Sequence, residues 1–194
     1  AIRNTSTPMP PIHCEKRRQN MQPRPMSSTF SKMLAPVVVK PAGGHGGSGV
    51  TMLRTREELE LYLENNDTAG MIIQPAATEL GRDMRVYIVG GKPIAAMLRI
   101  SQNDFRSNFC LGGRAVMVPV SELRPDELEI ISGVCAQLPL HYAGVDIMHD
   151  HGQAVLNEVE DPVGARMLYN YTDIDPALRH VGFIIRQKIK NAPQ

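Results

Sequence analysis

The sequence predicts an α+β fold with mainly antiparallel sheets, and three observations support this prediction. Segments 83–100 and 142–161 each contain two strand-like runs joined by a short turn, which is the pattern of a β-hairpin. Amphipathic helical patterns occur between and after these hairpins. The strands therefore pair locally with helices interspersed, and that arrangement defines the α+β class.

The first regular elements begin at Val37. The run VVVK predicts a strand, and VTMLRT, after a glycine-rich loop, predicts a second strand. Thr55 followed by REELELYLENND predicts a helix, with Thr55 as N-cap and Glu58 as its capping-box partner. GMIIQP predicts a third strand that ends at Pro75.

The later segments predict two hairpins and two helices. DMRVYIVGGKPIAAMLRI turns at Gly90 and Gly91, and YAGVDIMHDHGQAVLNEVED turns at residues 149–153. SELRPDELEIISGVCAQL predicts an amphipathic helix capped by Ser121. TDIDPALRHVGFIIRQKIK predicts a closing helix that starts near Pro176.

Composition limits the classes of function. The 194 residues are 42% hydrophobic and 21% charged, which is typical of a soluble globular protein. The net charge of +1 provides no overall field that would attract nucleic acid or an anionic membrane, so neither is expected as a partner. No apolar run approaches the roughly 18 residues of a membrane helix, and no secretory leader pattern is present. Three widely spaced cysteines favour reduced thiols in the cytoplasm: Cys14, Cys110 and Cys135.

A glycine-rich loop, AGGHGGSG, follows the first strand. Glycine permits positive φ angles and lets backbone N–H groups approach phosphate oxygens, and Lys40 at the end of the strand would add a positive charge. The loop is neither a P-loop nor a dinucleotide fingerprint, because the required residues do not follow its glycines. A simple glycine-rich turn is an equal alternative.

Three carboxylates, Asp146, Glu158 and Glu160, lie on the two strands of the second hairpin. Strand alternation predicts that they share one face, where oxygen ligands would suit Mg²⁺ or Mn²⁺. The alternative is a solvated acidic sheet face. Four apolar residues are expected to place the opposite face in the core: Val145, Ile147, Val155 and Val159.

Several further polar residues are candidates for binding. Arginine forks bind phosphate in a bidentate manner, although each arginine could instead form a surface ion pair. The candidates are Arg85, Arg99, Arg106 and the neighbouring Asn108. Arg166 is a candidate for an acceptor pocket or for an ion pair with Asp161. The histidines without ligand spacing are expected at the surface: His141, His149, His151 and His180.

The order of these motifs resembles the ATP-grasp superfamily and, within it, the RimK-like carboxylate–amine ligases. The resemblance is carried by the lysine-ended strand, the glycine loop, the helix, the strand ending in Gln, GRDMRVYIVGGKPIAAMLR, DFRSN, AGVDI and the acidic strand. It covers about residues 37–190. It implies an ATP-grasp fold in which a small subdomain (37–77) and a large one (78–194) grip the nucleotide, preceded by an irregular proline-rich segment (1–36).

The resemblance also implies roles for individual residues. Residues implied to contact ATP are Lys16, Lys40, Gly43, Gly44, Gly46, Gly47, Ser48, Gly49, Gln74, Pro75, Ala76, Ala77, Asp83 and Asn108. Residues implied to surround the phosphates and the acyl intermediate are Arg85, Arg99 and Arg106. Residues implied to ligate Mg²⁺ are Asp146, Glu158 and Glu160.

The implied activity is ATP-dependent ligation of a carboxylate to an amine or thiol through an acylphosphate, with small-molecule or peptide substrates. A small-molecule kinase and a non-catalytic nucleotide-binding module are the alternatives. Two departures from the family pattern bear on this activity. Glu160 stands where the family has Asn, and residues 1–36 are too few to supply the amino-terminal domain that the family uses in its substrate cleft.

Overall fold

A computed structural model of the chain describes residues 35–43, 47–101, 104–107 and 113–192. Four residues implied to bind ATP lie outside the described residues: Lys16, Gly44, Gly46 and Asn108. The described residues all belong to one compact unit.

The first sheet has three antiparallel strands in the order β2-β1-β3. Its strands are β1 (Val37–Pro41), β2 (Thr51–Leu53) and β3 (Met71–Pro75), and helix α1 (Arg56–Asn65) connects β2 to β3. The predicted cap of α1 is confirmed, because the Thr55 hydroxyl accepts a hydrogen bond from the Glu58 N–H at 3.2 Å. The Glu58 carboxylate accepts from the Arg54 N–H, one residue before the cap.

The second sheet has five strands in the order β6-β5-β4-β7-β8, and all neighbouring strands are antiparallel. Three helices accompany it, so the predicted α+β class is confirmed. The bounds are β4 (Arg82–Val89), β5 (Lys92–Ile100), β6 (Arg114–Val118), α2 (Pro125–Gln137), β7 (Tyr142–Asp150), β8 (Gln153–Glu160), α3 (Arg166–Tyr171) and α4 (Pro176–Lys190).

The two faces of the five-stranded sheet have different roles. On one face, apolar side chains such as Val86 and Val145 pack around Ile131 of α2. On the other face, which we call the cleft face, Tyr87 and Met97 pack against α3 through Leu168. The charged side chains of β4, β5 and β7 lie beyond this second cluster on the cleft face. Packing on both faces therefore gives the charged groups a rigid base.

The β4–β5 hairpin turns at Gly90 and Gly91, as the sequence predicts. Gly90 has a φ angle of 58°, and a Cβ atom there would lie 2.4 Å from the Phe183 ring of α4. Only glycine meets both conditions. This close contact is one of those that hold α4 against the large sheet.

Helix α2 begins at Pro125, so the predicted cap at Ser121 is wrong. Ser121 lies instead in a short 3₁₀ turn, Val120–Glu122. Proline is favoured in the first turn of a helix, while the residue before it is held in an extended conformation. Arg124 is accordingly extended, and its N–H donates to the Glu127 carboxylate at 2.8 Å.

The prediction that Val155 faces the core is also wrong. Asp146 pairs with Glu158 but Ile147 pairs with Leu156, so a β-bulge inserts Asn157 into β8. A bulge shifts the alternation of side chains by one position. Val155 is therefore 42% exposed, whereas Val145 and Ile147 are fully buried.

His149 is not a surface residue, contrary to the sequence prediction. It is 6% exposed, and its Nε2 lies 3.0 Å from the Glu127 carboxylate of α2. The pair therefore joins β7 to α2.

Strand β6 and helix α3 were not among the predicted elements. Within the described residues, no helix combines the length and apolar composition needed to cross a bilayer.

Candidate active site

A cleft of about 640 Å³ lies between the two sheets. One side is formed by β1, the end of the glycine loop and the segment after β3; the other is formed by the cleft face of the large sheet. The predicted site residues that line it are Lys40, Gly47, Ser48, Gln74, Pro75, Ala76, Ala77, Asp83, Arg85, Arg99, Arg106, Glu158 and Glu160. Gly43, Gly49 and Asp146 are described but do not line it.

Two arginines and two aspartates form a buried network at the base of the cleft. The Nε and Nη2 atoms of Arg85 each donate to one oxygen of Asp146 at 2.7 Å. Arg99 donates from Nε to Asp83 at 2.7 Å, and its Nη2 contacts both Asp83 and Asp146. The register of β5, β4 and β7 brings these four side chains together on the cleft face.

Glu160 extends this network into the cleft. Its carboxylate lies 2.6 Å from Nη1 of Arg85. The Glu160 side chain is 38% exposed, whereas the Asp146 side chain is fully buried. A continuous arginine–carboxylate chain, consisting of Asp83, Arg99, Asp146, Arg85 and Glu160, therefore runs from the core to the solvent-facing side of the cleft.

Burial and ion pairing act in opposite directions on this chain. Burial alone would raise the pKa of Asp146, but the hydrogen bonds and charges of Arg85 and Arg99 outweigh it and hold that pKa below its usual value. Burial would lower the pKa of Arg85, but its bonds to Asp146 raise it instead. The pKa of Arg99 is raised in the same way by Asp83 and Asp146 in spite of its burial. Asp146, Arg85 and Arg99 therefore remain charged at neutral pH.

Glu158 has a different environment, although it lies opposite Asp146 in the β7–β8 ladder. Partial loss of solvent, followed by the nearby charge of Asp146, raises the pKa of Glu158 above its usual range. The positive charges of Lys40 and Arg85 act in the opposite direction but do not outweigh these effects. Glu158 is thus an under-compensated anion that faces the cleft.

Lys40 bridges the two walls of the cleft. Its Nζ atom donates to Oδ1 of Asn157 at 3.3 Å. Asn157 occupies the bulge of β8, which the sequence pattern did not reveal, and the bulge is what turns this amide toward β1. An ammonium group in this position could accompany a phosphate group bound between the sheets.

The described end of the glycine loop is held by Arg106. Its Nη1 atom donates to the carbonyl oxygen of Gly47 at 2.9 Å, while its remaining nitrogens bind the Asp104 carboxylate. Gly47 and Gly49 have φ angles of 77° and 71°. The loop thus adopts a backbone conformation that favours glycine, and it is connected to the opposite wall of the cleft.

The segment after β3 is fixed at the edge of the cleft. The Ala76 N–H donates to the carbonyl oxygen of Pro36 at 3.0 Å. The Thr78 N–H donates to Asp150 at 3.0 Å, and the Thr78 hydroxyl accepts from the His151 N–H at 2.7 Å. The turn of the β7–β8 hairpin therefore anchors the connection between the two sheets. No sequence motif marked this anchor.

The donor chemistry of the acidic residues is suited to a hard cation only in part. Among the described residues, no three acidic, histidine or cysteine side chains are arranged to hold a metal ion. Both oxygens of Asp146 are already bound by arginine, which explains why it does not converge with the other two carboxylates. Glu158 and Glu160 do face the cleft, and the charge of Glu158, which Lys40 and Arg85 compensate only in part, would be relieved further by a divalent cation.

Other cleft residues were missed or only suspected from the sequence. Asn157 and Met148 carried no motif, because their positions depend on strand register, and Phe105 lies within DFRSN but had no role of its own there. Arg166, suspected from its place after the acidic strand, does line the cleft at the start of α3. The roles implied for individual site residues remain predictions.

A sheet pair that encloses a polar cleft, with a glycine loop at its mouth and charged residues at its base, is the architecture of a nucleotide-grasping protein. The family model described as the RimK-like ATP-grasp domain matches residues 9–184. The chain therefore belongs to the RimK-like ATP-grasp family.

Relatives and solved structures agree with this assignment. A protein from Maridesulfovibrio salexigens named probable alpha-L-glutamate ligase is 33% identical over 154 residues, which cover 77% of this chain and 50% of that protein. A Shewanella baltica protein named probable alpha-L-glutamate ligase 2 is 32% identical over 160 residues, covering 80% and 52%. The chain thus spans about half the length of these curated relatives.

The fold is also shared with solved ligases. The structure of the ATP-grasp ligase PsnB with minimal precursor, Mg and ADP has a TM-score of 0.58 at 22% identity, covering 82% of this chain and 49% of that chain. D-alanine–D-alanine ligase from Bacillus anthracis has a TM-score of 0.55 at 18% identity, covering 81% and 57%. At these identities the similarity establishes the ATP-grasp fold.

Proposed function

We propose that this chain contains the nucleotide-binding and catalytic part of an ATP-dependent carboxylate–amine ligase that acts through an acylphosphate. The observation that carries the proposal is the arginine–carboxylate chain at the base of a cleft that Lys40 and the glycine loop face from the other wall. The relatives are named probable alpha-L-glutamate ligases, and these names favour a ligase over a kinase.

The small subdomain, residues 37–77, and the large subdomain, residues 78–194, would bind ATP between them. Backbone and side-chain groups of Gln74, Ala77 and their neighbours would contact the base, and Asp83, which also lines the cleft, would approach the ribose. The cationic groups of Lys40 and Arg106 would accompany the phosphates. The glycine loop would close over them and exclude water from a reactive intermediate.

In the proposed reaction, the γ-phosphoryl group moves from ATP to a substrate carboxylate oxygen and ADP is released. The amine nitrogen of the second substrate then attacks the acyl carbon. The new C–N bond forms as the bond to the phosphate oxygen breaks, and phosphate and a proton leave. Arg85 would offset the negative charge on the transferring group, so the chain contributes mainly by positioning and electrostatic stabilisation.

Magnesium or manganese would be held by Glu158 and Glu160, with Asp146 beneath them, and would supply charge neutralisation at the phosphates. The carboxylate substrate that we propose is L-glutamate or a related amino acid, and the amine is a small molecule or peptide. We place this reaction in the cytoplasm, where the three cysteines of the protein would remain reduced.

The test is release of inorganic phosphate from MgATP in the presence of L-glutamate and a panel of peptide acceptors. Wild-type protein should release phosphate only when both substrates are present, and Glu158→Gln should abolish this release. Glu60→Gln, which removes a carboxylate from an exposed ion pair on α1, is the matched control and should retain activity. Phosphate transferred to a product without appearing in solution would indicate a kinase, and substrate-independent binding without turnover would indicate a non-catalytic module.

A further inference from the structure

We propose that Glu160 is a positioning residue that couples divalent-cation binding to nucleotide binding. In the absence of a cation its carboxylate holds Nη1 of Arg85, and a cation that takes this carboxylate releases Nη1 to the phosphates. This inference rests on the proposed function, because it requires that a nucleotide and a cation share the cleft.

The guanidinium group of Arg85 is surrounded by carboxylates. Its Nε and Nη2 atoms bind the two oxygens of Asp146, and its Nη1 atom contacts Glu160 at 2.6 Å. All three nitrogens of this guanidinium group are therefore paired with carboxylates. A phosphate group that binds at Nη1 must therefore compete with Glu160 for it.

The contacts of Arg85 with Asp146 and with Glu160 differ in strength. The bidentate pair with Asp146 is buried, so opening it would leave unpaired charges in the interior. The Glu160 side chain is 38% exposed as a whole, although its Oε2 atom, which contacts Arg85, is enclosed and has no hydrogen-bond partner among the described residues. The contact with Nη1 is an ion pair without hydrogen-bond geometry, so it is easier to open than the two hydrogen bonds to Asp146. The Glu160 contact is therefore the one that opens, while Asp146 continues to hold the guanidinium in place.

Glu160 lies beside Glu158 on the cleft side of β8. The two residues are separated by one position on β8 and both line the cleft. Because both carboxylates face the cleft, a divalent cation near Glu158 would also attract the Glu160 carboxylate. The same cation would repel the Arg85 guanidinium, and both effects favour separation of the pair.

The negative charge of residue 160 distinguishes it from a neutral amide at the same position. A neutral amide here could accept a hydrogen bond from Arg85 but would leave its charge uncompensated and open to an incoming anion. A carboxylate neutralises that charge until a cation competes for it. By linkage, a cation that increases nucleotide affinity through this exchange must itself bind more tightly when nucleotide is present.

The experiment measures the affinity for the non-hydrolysable ATP analogue AMPPNP by isothermal titration calorimetry, in EDTA and in MgCl₂. In wild-type protein, AMPPNP should bind weakly in EDTA and more tightly with Mg²⁺. Glu160→Gln should bind AMPPNP about five- to tenfold more tightly than wild type in EDTA, since Arg85 is released, and should gain less from Mg²⁺.

Two variants provide controls. Glu158→Gln removes the same charge from the same cleft but breaks no ion pair with Arg85, on which Glu158 acts only through its charge, so it should raise the EDTA affinity by less than twofold. Glu60→Gln should match wild type in both conditions. Thermal melts of all variants establish that each is folded.

Each result decides the matter. Unchanged affinity of Glu160→Gln in EDTA would overturn the coupling and leave Glu160 with at most a role as a metal ligand. Equal gains in Glu160→Gln and Glu158→Gln would overturn it in favour of a general charge effect. An absence of AMPPNP binding to wild type in either condition would instead reject the proposed function.

Discussion

Asp146 illustrates how this protein uses a buried charge. It is fully enclosed, yet three guanidinium nitrogens from two neighbouring strands bind its two oxygens. Burying an isolated carboxylate would be prohibitively unfavourable, so the two arginines are a condition of its presence. They in turn are held in fixed orientations by it. A single buried aspartate therefore sets the geometry of the base of the cleft.

Substituting Asp146→Asn should lower the free energy of unfolding by about 3 kcal/mol, because it leaves two buried arginines under-compensated. Since the folded pKa of Asp146 lies below its ordinary value of 3.8, its contribution is complete above that pH and is lost as the pH falls through the folded pKa. The variant should accordingly show a weaker decrease in stability below about pH 4. Urea denaturation from pH 3 to 7 measures both effects.

The exposed Asp173→Asn is the control for Asp146→Asn and should change neither the stability at pH 7 nor its acid dependence. If the two variants behaved alike, the buried network would not stabilise the fold.

Residue by residue, the sequence predicted which side chains share a face but not their partners. Alternation along β7 and the end of β8 correctly placed Asp146, Glu158 and Glu160 on one face. The contacts of Asp146 with Arg85 and Arg99 depend on the order β5-β4-β7, which requires pairing across long sequence separations. Burial of His149 against Glu127 of α2 depends on helix docking in the same way.

Among the elements, the β1–β2 connection is distinguished by its glycines. Gly49 has a φ angle of 71°, and a Cβ atom there would lie 2.9 Å from Cγ of Pro41. Gly43, at the other end of the loop, has no atom within 4 Å of a Cβ position. The loop thus has one glycine that its conformation requires and another that the surrounding structure tolerates changing.

Gly49→Ala should strain the loop by about 1–2 kcal/mol, since an L-residue at positive φ is unfavourable and the methyl group contacts Pro41. If the glycine loop must keep its present conformation to close over the nucleotide, the affinity for AMPPNP with Mg²⁺ should fall by about tenfold. Gly43→Ala is the matched control and should bind as wild type. Equal affinities of the two variants, measured by calorimetry, would contradict a role for the loop conformation in nucleotide binding.

The elements that could be predicted were those encoded locally. The Gly90–Gly91 turn and the Thr55 cap each depend on a few adjacent residues. The bulge at Asn157 could not be predicted, because it is defined by a mismatch between two strands. Strand β6 and the six-residue helix α3 lacked a strong periodic signal. β6 is held by its pairing with β5, and α3 is held by packing of Leu168 against the large sheet.

For the whole molecule, the important feature is that the candidate site belongs to neither sheet alone. In the described structure, Lys40 reaches Asn157 from β1, and Arg106 reaches the glycine loop from the opposite wall. A ligand that fills the cleft would add contacts to both walls. Nucleotide binding should therefore stabilise the entire compact unit, and the charge of Lys40 should contribute to that effect.

In wild-type protein, AMPPNP with Mg²⁺ at 100 times its Kd should raise the free energy of unfolding by about 2.7 kcal/mol, because only the folded state binds it. Lys40→Met should weaken binding by about tenfold, so at the same ligand concentration the gain should fall to about 1.4 kcal/mol. Stability without ligand should change little, since the 3.3 Å Lys40–Asn157 bond is a single contact at the cleft wall. Lys92→Met, at the exposed start of β5 and outside the cleft, is the matched control and should retain the full gain. Urea denaturation with and without ligand provides the measurement, and equal ligand-induced stabilisation of the two lysine variants would show that the nucleotide does not bind against β1.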